Sequence, residues 1–378
     1  MPASVPVPSR RRWRRPRFWL VLLLALVVLA GAAVGGVGWY YSGQLLDVSH
    51  APDPYDLKVV AVGGGSVTLP DTPATARPGI FGLAWRGGSA VMGEVVRRER
   101  ATVTRSSVGA SPPPGAPARL VVAVWDGDPR AARGLAYSAV EVPDPLGPMP
   151  AWYVPAAGPT WVVMVHGRGG TREEGLRILP TLHRLGLPVL DLSYRNDVGA
   201  PRSPDGLYHL GDTEWRDVEA GIRFALDHGA SSVVLYGWSM GGAIVGAFLH
   251  RSAYADRVAR LVLDAPVLDW RATLELQAAN RGLPAILTTV AEQVVTRRIG
   301  IDFDDFDLVR HPDRIAVPTL LFHGGADGTV PVGPARALAR ARPSVVTFVE
   351  VPQADHTEGW NVDPPDYEAA VARFLAAR

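Results

Sequence analysis

The residue best suited to covalent chemistry lies in Gly237-Trp238-Ser239-Met240-Gly241-Gly242. A run of β-formers, Ser232 to Tyr236, leads into it, and a helix-compatible run, Ala243 to His250, leads out. A serine on so tight a strand-to-helix turn sits in strained backbone, with its hydroxyl lifted clear of the sheet edge. The positions two before and two after it must then be small, and Gly237 and Gly241 meet that need. The turn also leaves free N–H groups at the start of the helix, where negative charge is favoured. The bland alternative is a glycine-rich turn carrying an incidental serine.

A serine hydroxyl is a poor nucleophile at neutral pH; it needs a base to take its proton and a third group to orient that base. After this kind of turn the order along the chain is Ser, then Asp or Glu, then His. The histidines beyond Ser239 are His250, His311, His323 and His356. His250 lies about three turns along the departing helix, His311 reads as a loop residue before Pro312, and His323 ends a strand as a structural residue. His356, in Gln353-Ala354-Asp355-His356-Thr357-Glu358-Gly359, sits in a loop between the last strand and the last helix. It is the expected base. The expected acid is Asp327, in the loop Asp327-Gly328-Thr329-Val330-Pro331 after the strand Thr319 to Phe322. Asp264, one strand earlier, competes with it, and Asp355 adjoins the histidine too closely to orient its ring.

A tetrahedral intermediate needs preformed N–H donors for its oxyanion. Met240 N–H, next to the serine, is one candidate. The other comes from His166-Gly167-Arg168-Gly169-Gly170, after the apolar strand Thr160 to Val165; Arg168 N–H is the first choice and Gly169 the second.

These residues need a scaffold, and the chain alternates strands and helices from about residue 134. A paired antiparallel start (Leu135–Val142 with Met149–Val154) precedes strands at 160–165, 188–192, 232–236, 260–263, 319–322 and 345–351. Helices are expected at 171–185 with Thr171 as N-cap, at 212–228 opened by a capping-box-like Asp212-Thr213-Glu214-Trp215, and at 331–341 and 364–377. Buried apolar strands alternating with helices give a mostly parallel sheet covered on both faces, with its site at the carboxyl ends of the strands. Ser239, His166 and Asp327 all follow strand ends and so share one rim.

The ordered set His166-Gly167-Arg168-Gly169, Ser193-Tyr194-Arg195, Gly237 to Gly242, His323-Gly324-Gly325-Ala326-Asp327 with Val330-Pro331, and Asp355-His356 resembles the α/β-hydrolase superfamily, within it the prolyl-oligopeptidase-like and Bem46-like serine hydrolases. The resemblance covers roughly two-thirds of the chain and implies Ser239, Asp327 and His356 as a triad, matching the choice made from the residues. It does not reach 42–130, where the stretch is too short for a β-propeller and shows no such repeats.

The expected architecture is therefore α/β, a mostly parallel sheet with helices on both faces and a small helical cap, preceded by a transmembrane helix and a small β-rich region. The segments are a basic tail (1–17), an apolar anchor (18–41), a β-rich region (42–133) and a hydrolase domain (134–378) with a cap insert at about 267–312. The β-rich region carries short runs at 57–62, 89–96, 101–104 and 120–125 between turn signals. In the cap, 273–280 and 284–298 look helical. Asp302, Asp304, Asp305 and Asp307 follow; they lack the glycine and terminal glutamate of a calcium loop and read as a solvated acidic loop.

Phe18 to Tyr41 holds no charge, and its 24 positions span ~36 Å as a helix, enough to cross a bilayer. Arg10, Arg11, Arg12, Arg14, Arg15 and Arg17 precede it, which keeps the N-terminus cytoplasmic and puts the body outside; Trp19, Trp39, Tyr40 and Tyr41 fit the interfacial belts. A cleaved signal peptide is the alternative, but no A-x-A site precedes a polar start. Arg14-Arg15 hints at twin-arginine export, from which Pro16 and Arg17 depart. A net charge of +1 gives no reason to expect nucleic-acid binding, and the absence of cysteine excludes disulfides and thiolate chemistry. The expectation is a membrane-anchored, extracytoplasmic serine hydrolase, needing no cofactor or metal, acting on a small or lipid-like ester. A peptidase, an envelope acyltransferase, or a non-catalytic binding protein on the same scaffold are the alternatives.

Overall fold

The computed structural model describes residues 15–51 and 53–377; most of the basic tail lies outside these. Helix α1 (Arg15–Leu46) continues five residues past the expected anchor. No proline interrupts it after Pro16, and its apolar side chains from Phe18 to Leu29 face outward with no protein against them. It is long and apolar enough to cross a membrane. Its end is closed by another part of the chain: the Arg168 guanidinium donates to Leu45 O at 2.8 Å and Gln44 O at 2.6 Å. A cation there satisfies carbonyls that have no partner within the helix and meets the negative end of its dipole.

Seven antiparallel strands follow: β1 (Leu57–Lys58), β2 (Ala61–Gly63), β3 (Ser66–Pro70), β4 (Phe81–Trp85), β5 (Gly88–Arg98), β6 (Thr102–Gly109) and β7 (Pro117–Val121), in the order β1-β7-β4-β5-β6-β3-β2. Val67, Leu69, Phe81, Leu83, Met92 and Val103 form their core. The run expected at 57–62 is two strands, because Val59 turns inward between them to pair its backbone with Ala116 and Gly115. The run expected at 120–125 stops at Val121, where Val124 takes a positive φ of 71°.

After the short α2 (Pro129–Arg133) comes the second sheet: β8 (Ser138–Val142), β9 (Met149–Val154), β10 (Thr160–Val165), β11 (Val189–Leu192), β12 (Ser232–Trp238), β13 (Val258–Asp264), β14 (Thr319–Gly324) and β15 (Val346–Val351). Its order is β15-β14-β13-β12-β10-β11-β9-β8, with the β11·β9 and β9·β8 pairs antiparallel and the other pairs parallel. The helices are α3 (Leu179–Arg184), α4 (Trp215–Asp227), α5 (Met240–Arg251), α6 (Trp270–Asn280), α7 (Ala285–Ile299), α8 (Val332–Ala341), α9 (Gly359–Val362) and α10 (Pro364–Ala376). The central strands β10, β12 and β14 are buried after at most their first residue, because both faces are covered by separate apolar clusters.

Three local expectations are corrected. The helix at 171–185 is a 3₁₀ turn (Arg172–Arg177) followed by α3, with Thr171 capping the first part. Asp212 does not cap α4, which begins at Trp215; its carboxylate takes the Arg251 guanidinium at 2.6 Å, while Glu214 accepts from His209 N and Gly211 N. The acidic run is solvated only in part, with Asp302 and Asp305 exposed. Asp304 pairs with Arg271 and Arg310, Asp305 meets Arg251, and Asp307 is buried while accepting from Val309 N and Arg310 N.

The first sheet braces the second domain at one place. Arg77 pairs with Asp355 at 2.9 Å and Glu358 at 2.6 Å. Asn361 donates to Ile80 O and Val122 O, and Ile80 N donates back to Asn361 O. The clamped segment carries His356.

Candidate active site

Strand β12 ends at Trp238 and α5 begins at Met240, so Ser239 alone makes the turn, at φ 50° and ψ −119°. Positive φ in a residue with a side chain costs ~1–3 kcal/mol and persists only where the surroundings enforce it. Here Ser239 N donates to Asp264 O at 3.0 Å, and Ser239 O accepts from Gly242 N and Val267 N. A Cβ on Gly241 would lie 2.1 Å from Val165 O, so no larger residue fits there. The turn holds the serine hydroxyl at the rim rather than in the sheet.

The hydroxyl meets His356. Ser239 Oγ lies 2.8 Å from His356 Nε2, and His356 Nδ1 lies 2.8 Å from Asp327 Oδ2. The Asp327 side chain is fully buried, and its other oxygen accepts from Thr329 N and Val330 N. Thus the same aspartate shapes its turn and faces the imidazole. Burial alone would raise its pKa, but hydrogen bonds from His323 and His356 win and hold it well below the usual carboxylate range. Burial likewise works against the charged form of His356, yet the Asp327 carboxylate outweighs it and shifts the imidazole upward. Asp264 does not bond the imidazole: its Oδ2 accepts from Tyr367 OH at 2.9 Å, and burial pushes it up to about 6.

Met240 opens α5, and Arg168 lies across from it on the loop after β10. Among the described residues neither backbone N–H has an acceptor, whereas Gly167 N is already taken by Glu174 at 2.9 Å. Two free N–H groups beside a serine hydroxyl can receive a developing oxyanion. The loop is fixed from below. His166 meets Asp197 at 2.8 Å through Nε2 and Gly167 O at 2.8 Å through Nδ1. Both acceptors require a protonated nitrogen, so the ring is a cation; burial opposes this, but Asp197 raises its pKa to about 9.

Two spaces meet at Ser239 and His356. One is an apolar chamber of about 300 Å³ whose walls include Leu45 from α1, Met240, Trp270, Leu274, Leu287 and Val330. The other is a polar cleft of about 490 Å³, with Asp53, Arg119, Asp126, Glu173 and Asp197 along it. Arg168 borders both.

A family model described as the α/β hydrolase fold matches residues 160–306. In one crystal form an esterase from Pyrococcus furiosus superposes with a TM-score of 0.53 at 19% identity, over 66% of this chain and 94% of that one. A second crystal form gives 0.53 at 20% identity, over 66% and 93%. The chain has the α/β-hydrolase fold. A model described as a domain of unknown function matches residues 58–123 of the first sheet, and no curated protein matches the chain.

The sequence marks His323 only as a structural strand-end residue of this site and does not single out Arg177. His323 Nε2 lies 3.3 Å from Asp327 Oδ2 and 3.0 Å from Val330 O, so it backs the aspartate. Arg177 donates to Thr357 O and Asn361 Oδ1 and pairs with Glu174, tying the histidine loop to the loop of Gly167. Thr357 has a φ of 55°, strain that this grip maintains. The signal for His323 was its place four residues before Asp327; Arg177 gave none, since its partners on the histidine loop lie 180 residues away or more.

Proposed function

We propose that the protein is a serine hydrolase that cleaves carboxylic esters through an acyl-enzyme. Ser239 Oγ attacks the acyl carbon while His356 Nε2 takes its proton. Asp327 orients His356 and stabilises the imidazolium. The N–H groups of Met240 and Arg168 hold the oxyanion. His356 then protonates the departing alcohol, and water, deprotonated by the same imidazole, releases the acid. The observation that carries this reading is the unbroken Ser239–His356–Asp327 hydrogen-bond chain, with both links at 2.8 Å. The apolar chamber beside it favours an uncharged acyl group. The arginine-rich N-terminus and α1 support a single-pass anchor with the domain on the extracytoplasmic side.

The test is hydrolysis of p-nitrophenyl butyrate by the full chain in detergent. Ser239→Ala is expected to lower kcat by roughly 10⁴–10⁶-fold with the fold retained. Equal turnover by wild type and variant would refute the assignment.

A further inference from the structure

The chamber beside Ser239 is not built by the cap alone. Tyr41 and Leu45, at the end of the apolar helix α1, belong to its wall. Opposite them runs one face of α7: Leu287, Ala291 and Val295, spaced four apart, with Leu283 just ahead of the helix. The helices pack closely, since a Cβ on Gly38 would lie 2.8 Å from Val290 Cγ1 and 3.4 Å from Val294. Further along both, Arg298 donates to Ser42 Oγ at 2.8 Å and pairs with Asp47 at 3.2 Å. The two helices therefore run in the same direction, and the start of α7 points back toward the exposed part of α1.

That direction sets the level of the chamber mouth. About 20 residues of helix cross a hydrocarbon core of ~30 Å, so a span beginning at Phe18 reaches the far boundary near Val37. Trp39 and Tyr40, both exposed, fall at the interface. Val290 lies beside Gly38, and the tip Leu283-Pro284-Ala285-Ile286 lies on the bilayer side of it. Ile286 is 64% exposed, a large apolar side chain mostly open to its surroundings. The chamber thus runs from this tip, between α1 and α7, to Ser239. Its volume of about 300 Å³ is at the lower end of the roughly 300–1,000 Å³ of small-molecule sites, which suits one extended chain.

We propose that this chamber takes the acyl chain of a lipid ester directly from the bilayer, entering between the tip of the cap and the end of α1. The inference rests on the ester-hydrolase reading for its chemistry. The acyl carbon bonds to Ser239 Oγ, its bond to the alcohol oxygen breaks, and that oxygen leaves with the proton carried by His356. The polar alcohol portion leaves by the polar cleft.

Binding and turnover are scored separately. The full-length Ser239→Ala protein is reconstituted in phosphatidylcholine vesicles containing a lipid ester with a diazirine on its acyl chain, and irradiated. The expected adducts lie on peptides covering residues 41–45 and 283–295. Adducts confined to 18–33 would overturn the proposal. In the wild-type background, Ile286→Asp, outside the chamber, is expected to lower hydrolysis of the vesicle-borne ester about tenfold, the effect of losing one buried aliphatic contact with the bilayer, and to leave p-nitrophenyl butyrate turnover unchanged. An unchanged ratio of the two activities would also overturn it. Chamber adducts without hydrolysis of any ester would instead refute the proposed chemistry and leave lipid entry standing.

Discussion

The apolar chamber and the polar cleft touch the same serine, yet they are built from different parts of the chain. The chamber takes its walls from α1, α6 and α7 and has a continuous aliphatic face. The cleft lies between the loop of Arg168, the linker 49–53 and the end of the first sheet, and its wall is charged. On the proposed ester-hydrolase reading, the difference assigns the two ends of the substrate. A chain that gains by leaving water goes to the first, and a group that keeps its hydrogen bonds goes to the second. The first sheet matters on the cleft side twice, since it also clamps the histidine loop through Arg77 and Asn361.

A change at the shared centre should erase the distinction. Asp327→Asn is expected to reduce kcat by about 10⁴-fold for every ester, whatever its acyl or alcohol part, because the imidazole loses its orientation and charge support. A loss confined to one substrate series would break the comparison at its root. Arg168 borders both spaces and its guanidinium is fixed to the carbonyls of Gln44 and Leu45. Arg168→Ala frees the loop that presents its N–H. The expected result is a drop in kcat of about 10–100-fold with little change in KM, below the ~10²–10³ of deleting a donor outright. Steady-state kinetics on acetyl and octanoyl esters would show the same factor for both.

Blocking one side separates them. Leu274→Trp fills the chamber, and octanoyl esters are expected to lose about tenfold in kcat/KM while acetyl esters change little, since each excluded methylene forfeits ~0.8 kcal/mol. Ala123→Trp, on the cleft, is expected to discriminate by the size of the alcohol instead. The smallest effect is on pH. With the neutral imidazole as the proposed base, activity is expected to fall as pH drops through the His356 pKa, which Asp327 holds above the ordinary value of about 6.5. Removing that carboxylate moves the acid limb of kcat/KM to lower pH; a limb that stays in place would contradict the electrostatic role of Asp327.

The core of the site was legible because its parts are local. Gly237 and Gly241 announce the turn of Ser239, and the loops of Asp327 and His356 each follow an apolar strand. The fold class followed from the same alternation. What escaped depends on distant contacts. α1 is apolar all round, so no stripe told which face meets α7 or that Leu45 would wall a cavity. β3 and β4 were missed because Pro70, Gly82 and nearby glycines mask short strands that only pairing with β6, β5 and β7 stabilises. Asp212 looked like a cap, but its carboxylate is taken by the distant Arg251 guanidinium instead.

The central claim is that His356 makes Ser239 nucleophilic. Peptide mapping after reaction with a fluorophosphonate tests it most directly, comparing wild type with His356→Ala. The account predicts one adduct, on the peptide containing Ser239, and almost none in the variant. An adduct at another residue, or equal labelling of Ser239 without the histidine, would contradict it.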